Sequence, residues 1–306
     1  SYSGPTWYIT ESGNDTTATG ATGDPFRSIQ AGINFADDTD SVTVAAGTYV
    51  ENINFRGRNI KVAGENRETT IIDGDSSGSV VTFDSGEDET TVLNGFIIQN
   101  GTAVAGYFDS GPFTTGAGGG ILCNGASPIL DNLIIRNNTA TGAGRYGGGI
   151  FAINGNVKIQ NCVVKNNSAD AGGGVWIHGS SGSIKNSVIY DNTSGSGSQY
   201  SSLCIASATG SNASLINSVI YNNNNIGVKV VDGSTLNIIN SIIMNNGGSA
   251  DSAQILIGGL PSVLGTVIIN HSMISNGQSV ITIEEGGTLL WGSGNIDVDP
   301  MFVDTA

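Results

Sequence analysis

The sequence predicts an all-β solenoid of about nine stacked coils with a short helix near its N-terminal end, and three observations lead there. One pattern recurs: a Gly-rich approach, a short apolar strand, a polar turn, a second strand ending in Asn, a third strand and an Asn pair. It is most complete in Gly147 to Asn167, GGGIFAINGNVKIQNCVVKNN. Its last part, Asn-x-(Ile/Val)-(Ile/Val)-x-(Asn/Asp)-Asn, starts at Asn132, Asn161, Asn186, Asn217 and Asn240, with weaker versions at Gly95 and His271. By subtraction these anchors lie 37, 29, 25, 31, 23 and 31 residues apart, a period whose slack fits insertions between stacked turns. Finally, only 12% of the chain is charged and 46 residues are glycine, yet 38% is hydrophobic, enough for a narrow core.

A solenoid grows by adding coils, so the 306 residues are expected to form one domain. Residues 1–40 form its N-terminal strand and cap, 41–293 the coils and 294–306 a closing segment. Trp7 to Ile9 reads as an edge strand. Asp24-Pro25 then opens a helix, with Asp24 as N-cap and Phe26, Ile29, Ile33 and Ala36 on one face. Such a helix covers the open end of the first coil, whose unpaired backbone would otherwise template aggregation.

Ser41 to Ala45, Asn52 to Phe55 and Asn59 to Val62 make the first coil, with a turn at Ala46-Gly47-Thr48. Thr70 to Asp73, Val80 to Phe83 and Phe96 to Gln99 make the second. Later first strands begin near Gly120, Gly149, Gly174, Leu203, Gly227, Ile255 and Ile281. At ~4.8 Å per rung the rod is roughly 40 Å long. The Asn between second and third strands tolerates the left-handed turn a sharp bend needs, and its amide can bond to the Asn on neighbouring coils. Cys162, Ser187, Ser218, Ser241 and Ser272 follow as a small-residue stack inside the bend. Pro300 cannot extend the ladder and marks a stop.

The net charge of −15 argues against nucleic acid or an anionic membrane surface as partner. No apolar run is long enough to span a bilayer. The chain begins in what reads as mature sequence, as if a leader had been removed. Cys123, Cys162 and Cys204 have no metal or redox spacing and read as small buried residues.

These residues resemble the right-handed parallel β-helix proteins of pectate-lyase-like fold. The closest likeness is to secreted bacterial surface proteins with GGG-(Ile/Val) and Asn-Asn repeats, including the polymorphic outer-membrane type. Asp24 to Ala31, DPFRSIQA, and Ala45 to Tyr49, AAGTY, look like the usual start of such domains, and Gly294 to Phe302 like their usual ending. The resemblance covers nearly the whole chain and implies a secreted, extracellular or cell-surface protein. It leaves activity open, because this fold serves lyases, hydrolases, adhesins and structural proteins.

The enzymes of this fold imply a site on the outer face of the first strands: carboxylates holding Ca²⁺ beside an Arg or Lys in a lyase, paired Asp/Glu in a hydrolase. Alternation sends outward Leu122 and Asn124, Phe151 and Ile153, Trp176 and His178, Cys204 and Ala206, Lys229, Leu256, and Thr282 and Glu284. That row holds no carboxylate cluster, and Asp232 and Glu284 read as isolated. The proton-transfer candidates are Lys229, His178 and Arg145. Aromatic side chains suit stacking on sugars, and Phe151 and Trp176 on adjacent coils, with Tyr146 and Tyr200, form the expected groove. The insertions add Tyr107, Phe108 and Phe113.

On the third-strand face Val188, Tyr190, Val219, Tyr221, Ile242 and Met244 point outward, flanked by Ile216 and Ile239, an apolar strip suited to association. No cofactor is required. Calcium is possible at Asn14, Asp15 and Asp24 or at Asp297 and Asp299, which offer oxygen ligands in turn-like sequence. Sequons occur at Asn137, Asn166 and Asn192. Two functional expectations stand: a structural, adhesive or self-assembling surface module that binds itself or another surface protein, and a polysaccharide lyase or sugar-binding module using the aromatic groove.

Overall fold

The computed structural model of the chain describes residues 2–103, 116–140, 145–195, 201–206, 210–247, 253–260, 263–284 and 286–298. They form a right-handed parallel β-helix. Its first sheet has nine strands, from Ile53–Asn54 to Ile281–Ile283. The second has eleven, from Thr6–Ile9 to Thr288–Trp291, and the third nine, from Gly47–Val50 to Met273–Ile274. Within these sheets each strand pairs in parallel with its equivalent one coil on, as Phe151 with Trp176, Lys158 with Ser183 and Lys165 with Tyr190.

Short strands follow from frequent bends. Asn132, Asn161, Asn186, Asn217 and Asn240 all adopt φ between 50° and 56°, and His271 follows at 50°, a region few residues other than Gly and Asn enter cheaply. One inward residue from each sheet then meets the others along the axis. In the Gly147–Asn167 coil these are Ile150, Ile159 and Val164, all buried in one continuous core. The approach is glycine for steric reasons: a Cβ on Gly148 would lie 2.5 Å from the carbonyl oxygens of Gly173 and Ser168.

Two buried columns satisfy the polar groups of the bends. The second Asn of each pair turns inward, and Asn138, Asn167, Asn192, Asn223 and Asn246 stack on one another. In each step the Nδ2 donates to the next Oδ1, from 2.8 to 3.1 Å, and all five asparagines donate to a core-facing carbonyl as well. Gln254 ends the column by accepting from Asn246 Nδ2 at 2.9 Å. The small-residue stack forms as expected: the amides of Cys162, Ser187, Ser218 and Ser241 each donate to the hydroxyl one coil on, and Asn295 closes it by accepting from Ser272 N. The ladder predicted at the Asn of the first bend is weaker. Asn161, Asn186 and Asn217 are exposed, and their amides bond at 3.3 and 3.4 Å.

The N-terminal end differs in detail. Helix α1 runs Ile29–Phe35, capped by Ser28, whose Oγ accepts from Ala31 N. Asp24 instead accepts from Thr19 N in the preceding turn, so Pro25 does not open the helix. Of the expected helical face only Ile29 and Ile33 lie in α1; Phe26 precedes it, bridged to Ile9, and Ala36 is its C-cap, though all four are fully buried. The expected turn at 46–48 is the start of the third-sheet strand Gly47–Val50. The second-sheet strand Val92–Asn94 went unnoticed because Val-Leu-Asn is too short to show a period. Among the described residues no helix is long and apolar enough to cross a membrane.

Candidate functional site

The outer face of the first sheet starts as a ladder of residues two apart on each strand. Thr82, Leu122, Phe151, Trp176, Cys204, Lys229, Leu256 and Thr282 lie in register. Their direction matches the alternation in sequence, but their exposure does not. Phe151, expected to line an open groove, is fully buried, as are Leu122, Cys204 and Leu256. Leu122 and Phe151 pack with Ala117, Ile153, Tyr146 and Trp176, so the groove floor is a second small core outside the sheet. Cys204 and Leu256 pack with Ile226, Val231 and Trp176 in a third.

Trp176 bridges both clusters and is half-buried. Its ring stands 4.4 Å from Tyr146 at a 48° tilt. A Cβ on Gly172 would sit 2.8 Å from Trp176 Cβ, so the Gly-rich approach is what lets the indole lie down. Among the described residues the buried indole N–H has no hydrogen-bond partner, and neither has Nε of Arg145, a costly state for a donor. Arg145 is tethered elsewhere, donating from one Nη to Ala103 O at 3.2 Å. Among the described residues neither Arg145 nor Lys229 has a carboxylate at ion-pairing distance.

His178 stands two residues beyond Trp176 on the same face, in register with Ile153 and Ala206. Burial in this apolar row pushes its pKa down, and the carboxylate of Asp232 pulls it partly back. Asp232, read from sequence as isolated, therefore bears on the site. Burial also pushes the Cys204 thiol up to about 12, against the pull of Lys229, so it stays protonated and inert. Tyr200, Tyr107, Phe108 and Phe113 lie outside the described residues.

The expected calcium ligands are engaged by backbone amides. Asn14 accepts from Thr16 N and Thr17 N, and Asp15 from Arg27 N and Ser28 N. Partial burial raises the Asp15 pKa, but the Ser28 and Arg27 bonds outweigh it and hold the carboxyl below its usual range. Asp15 lines a cleft of about 410 Å³ with Glu11, Arg27, Ser28, Tyr49 and Glu51, where Glu51 caps α1 through Ile29 N and Gln30 N. Asp297 is exposed in a smaller cleft with Trp291, Gln278 and Asn295, and Asp299 lies outside the described residues. Among the described residues no three His, Cys, Asp or Glu gather as metal ligands would. The sequon Asn192 is buried in the inner column, whereas Asn137 and Asn166 are exposed.

A family model described as the right handed beta helix region matches residues 119–301. The chain belongs to this family. No curated protein sequence matches it. Among solved structures, this β-helix is similar to pectate lyase Pel9A, with a TM-score of 0.56 at 14% identity over 96% of this chain and 78% of that one. It is also similar to the enzymatically active domain of tailspike protein 2 from bacteriophage CBA120. There the TM-score is 0.52 at 12% identity, over 91% of this chain and 45% of the tailspike chain. At such identities the likeness is one of fold.

Proposed function

We propose that this β-helix is a carbohydrate-active protein, exported to a cell surface or beyond, and that its polysaccharide lies on the outer face of the first sheet over Tyr146 and Trp176. The observation that carries the reading is the half-exposed Trp176 indole, an aromatic face 4.4 Å from a second ring, Tyr146, on the outer side of the first sheet. A sugar supplies an apolar C–H face for the two rings. The similarity to a pectate lyase and to a tailspike enzyme domain supports the same reading at the level of fold. Lys229, half-buried and without a carboxylate partner, is the group proposed to face an acidic substituent or the reacting proton. His178, kept neutral by burial, is the second proton-transfer candidate.

Retention on immobilised or gel-embedded polysaccharides, neutral and acidic, tests binding, and ultraviolet absorbance of unsaturated products tests lyase turnover. Wild-type retention weakened in Tyr146→Ala and lost in Trp176→Ala, with the fold of each variant checked by its melting and circular dichroism, is the expected outcome. Turnover lost in Lys229→Ala while retention persists assigns the lysine to chemistry, and repeating both with a chelator reads any calcium requirement. No retention on any polysaccharide overturns the reading.

A further inference from the structure

The third sheet carries a second pattern, unrelated to the sugar face. Its outward positions form two rows along the rod. One is aliphatic: Ile71, Ile97, Ile134, Val163, Val188, Val219, Ile242 and Met273 stand in register over eight rungs, with Val163, Val188, Val219 and Ile242 half-exposed at its centre and Ile97, Ile134 and Met273 buried. Two residues further along each strand runs the other row, Asp73, Gln99, Arg136, Lys165, Tyr190, Tyr221 and Met244.

This second row changes character at its middle. Arg136 donates from Nε and Nη2 to Gln99 Oε1 at 3.0 and 2.8 Å. The Lys165 ammonium lies 5.5 Å from the Tyr190 ring centre, and Tyr190 stacks on Tyr221 at 4.9 Å and 10°. Two cations are thus followed by two aromatic rings, all of them half-exposed. A two-fold axis parallel to the strands, midway between the rungs of Lys165 and Tyr190, reverses the rung order. It sets Lys165 against Tyr190 of a second copy and Arg136 against Tyr221 of that copy. The same operation lays the half-exposed centre of the aliphatic row on itself, with Val163 opposite Val188. A self-complementary surface of this kind is what an isologous interface needs, and cation–π pairs across it are favourable.

Charge points to the same rungs. Residues 1–103 carry five Lys/Arg against fifteen Asp/Glu, a net of −10, whereas residues 116–195 carry five against three, a net of +2. Two copies of a −15 molecule therefore repel least where their middle coils meet. We propose that the protein forms an antiparallel homodimer through the third sheet, centred between the rungs of Lys165 and Tyr190. The sugar faces then lie on other sides of the two rods and stay open.

Sedimentation of the full chain across a concentration series is the test, with two single variants. Tyr221→Lys sets two cations against each other and Arg136→Glu removes a cation–π partner, so each weakens the dimer by about tenfold or more. Arg136 and Tyr221 are three rungs apart within one chain, too far to pair there. Mixing the two variants therefore restores association only across the interface, as a heterodimer. A wild-type chain that stays monomeric at its highest soluble concentration overturns the proposal. So does a dimer indifferent to Tyr221→Lys, or variants that fail to rescue each other on mixing.

Discussion

Two columns of asparagine run through the middle coils of the rod, built from one residue type at the same spacing, and they do different work. Asn161, Asn186 and Asn217 sit outside the bend between second and third sheets, where water competes for every amide. Their left-handed backbone is their contribution, and the side-chain contacts of 3.3 and 3.4 Å add little. Asn138, Asn167, Asn192, Asn223 and Asn246 sit inside the next bend with almost no exposure. There the amide donates to buried carbonyls and to the neighbouring column member. Burial, rather than residue type, decides whether an asparagine is a turn former or an internal hydrogen-bond strut.

The largest effect is expected at Asn192→Ala. It strips donors from Val164 O, Tyr190 O and Asn223 Oδ1 and the acceptor from Asn167, and should cost about 3 kcal/mol or more. Urea unfolding measures it, and a loss near that of an exposed asparagine would break the comparison. Ser218→Ala comes next. The hydroxyl accepts from Ser187 N and donates to Ile216 O, so about 1–2 kcal/mol should be lost. Asn186→Ala should cost ~1 kcal/mol for a Cβ forced to φ 50°, and Asn186→Gly close to nothing. If Gly cost as much as Ala, the exposed amides would matter after all.

Neither column titrates, so pH sharpens the contrast from outside. The His178 pKa is lowered in the fold, so between its folded and unfolded values the unfolded chain binds more protons. Its stability contribution is complete above the unfolded value of about 6.5 and is lost as pH falls toward the folded value. His178→Leu should flatten that part of a melting-temperature profile, a smaller effect than any buried column change.

Much of the fold was legible because its causes are local. The Asn bends, the serine stack and the alternation of the strands each depend on residues a few positions apart. The N-terminal boundaries were harder. Asp24-Pro25 has the chemistry of a helix start, but Asp24 bonds to Thr19 and leaves the capping to Ser28. The site was legible in part: Trp176, Tyr146, His178 and Lys229 were marked from the chain, whereas Phe151 was expected in the open and is buried. Alternation gives the direction of a side chain and carries no information about what the preceding segments lay over it.

By itself, then, the sequence determined the coil period, the positions that bend and the face on which each strand residue stands. These follow from φ/ψ preference and a two-residue repeat, which are properties of short segments. Only the tertiary structure decided which asparagines are buried, that Phe151 closes a small outer core, and that Trp176 lies half-buried against Tyr146. Burial and hydrogen-bond satisfaction depend on chain from neighbouring coils, brought within a few ångströms by folding and separated by a variable number of residues in the sequence.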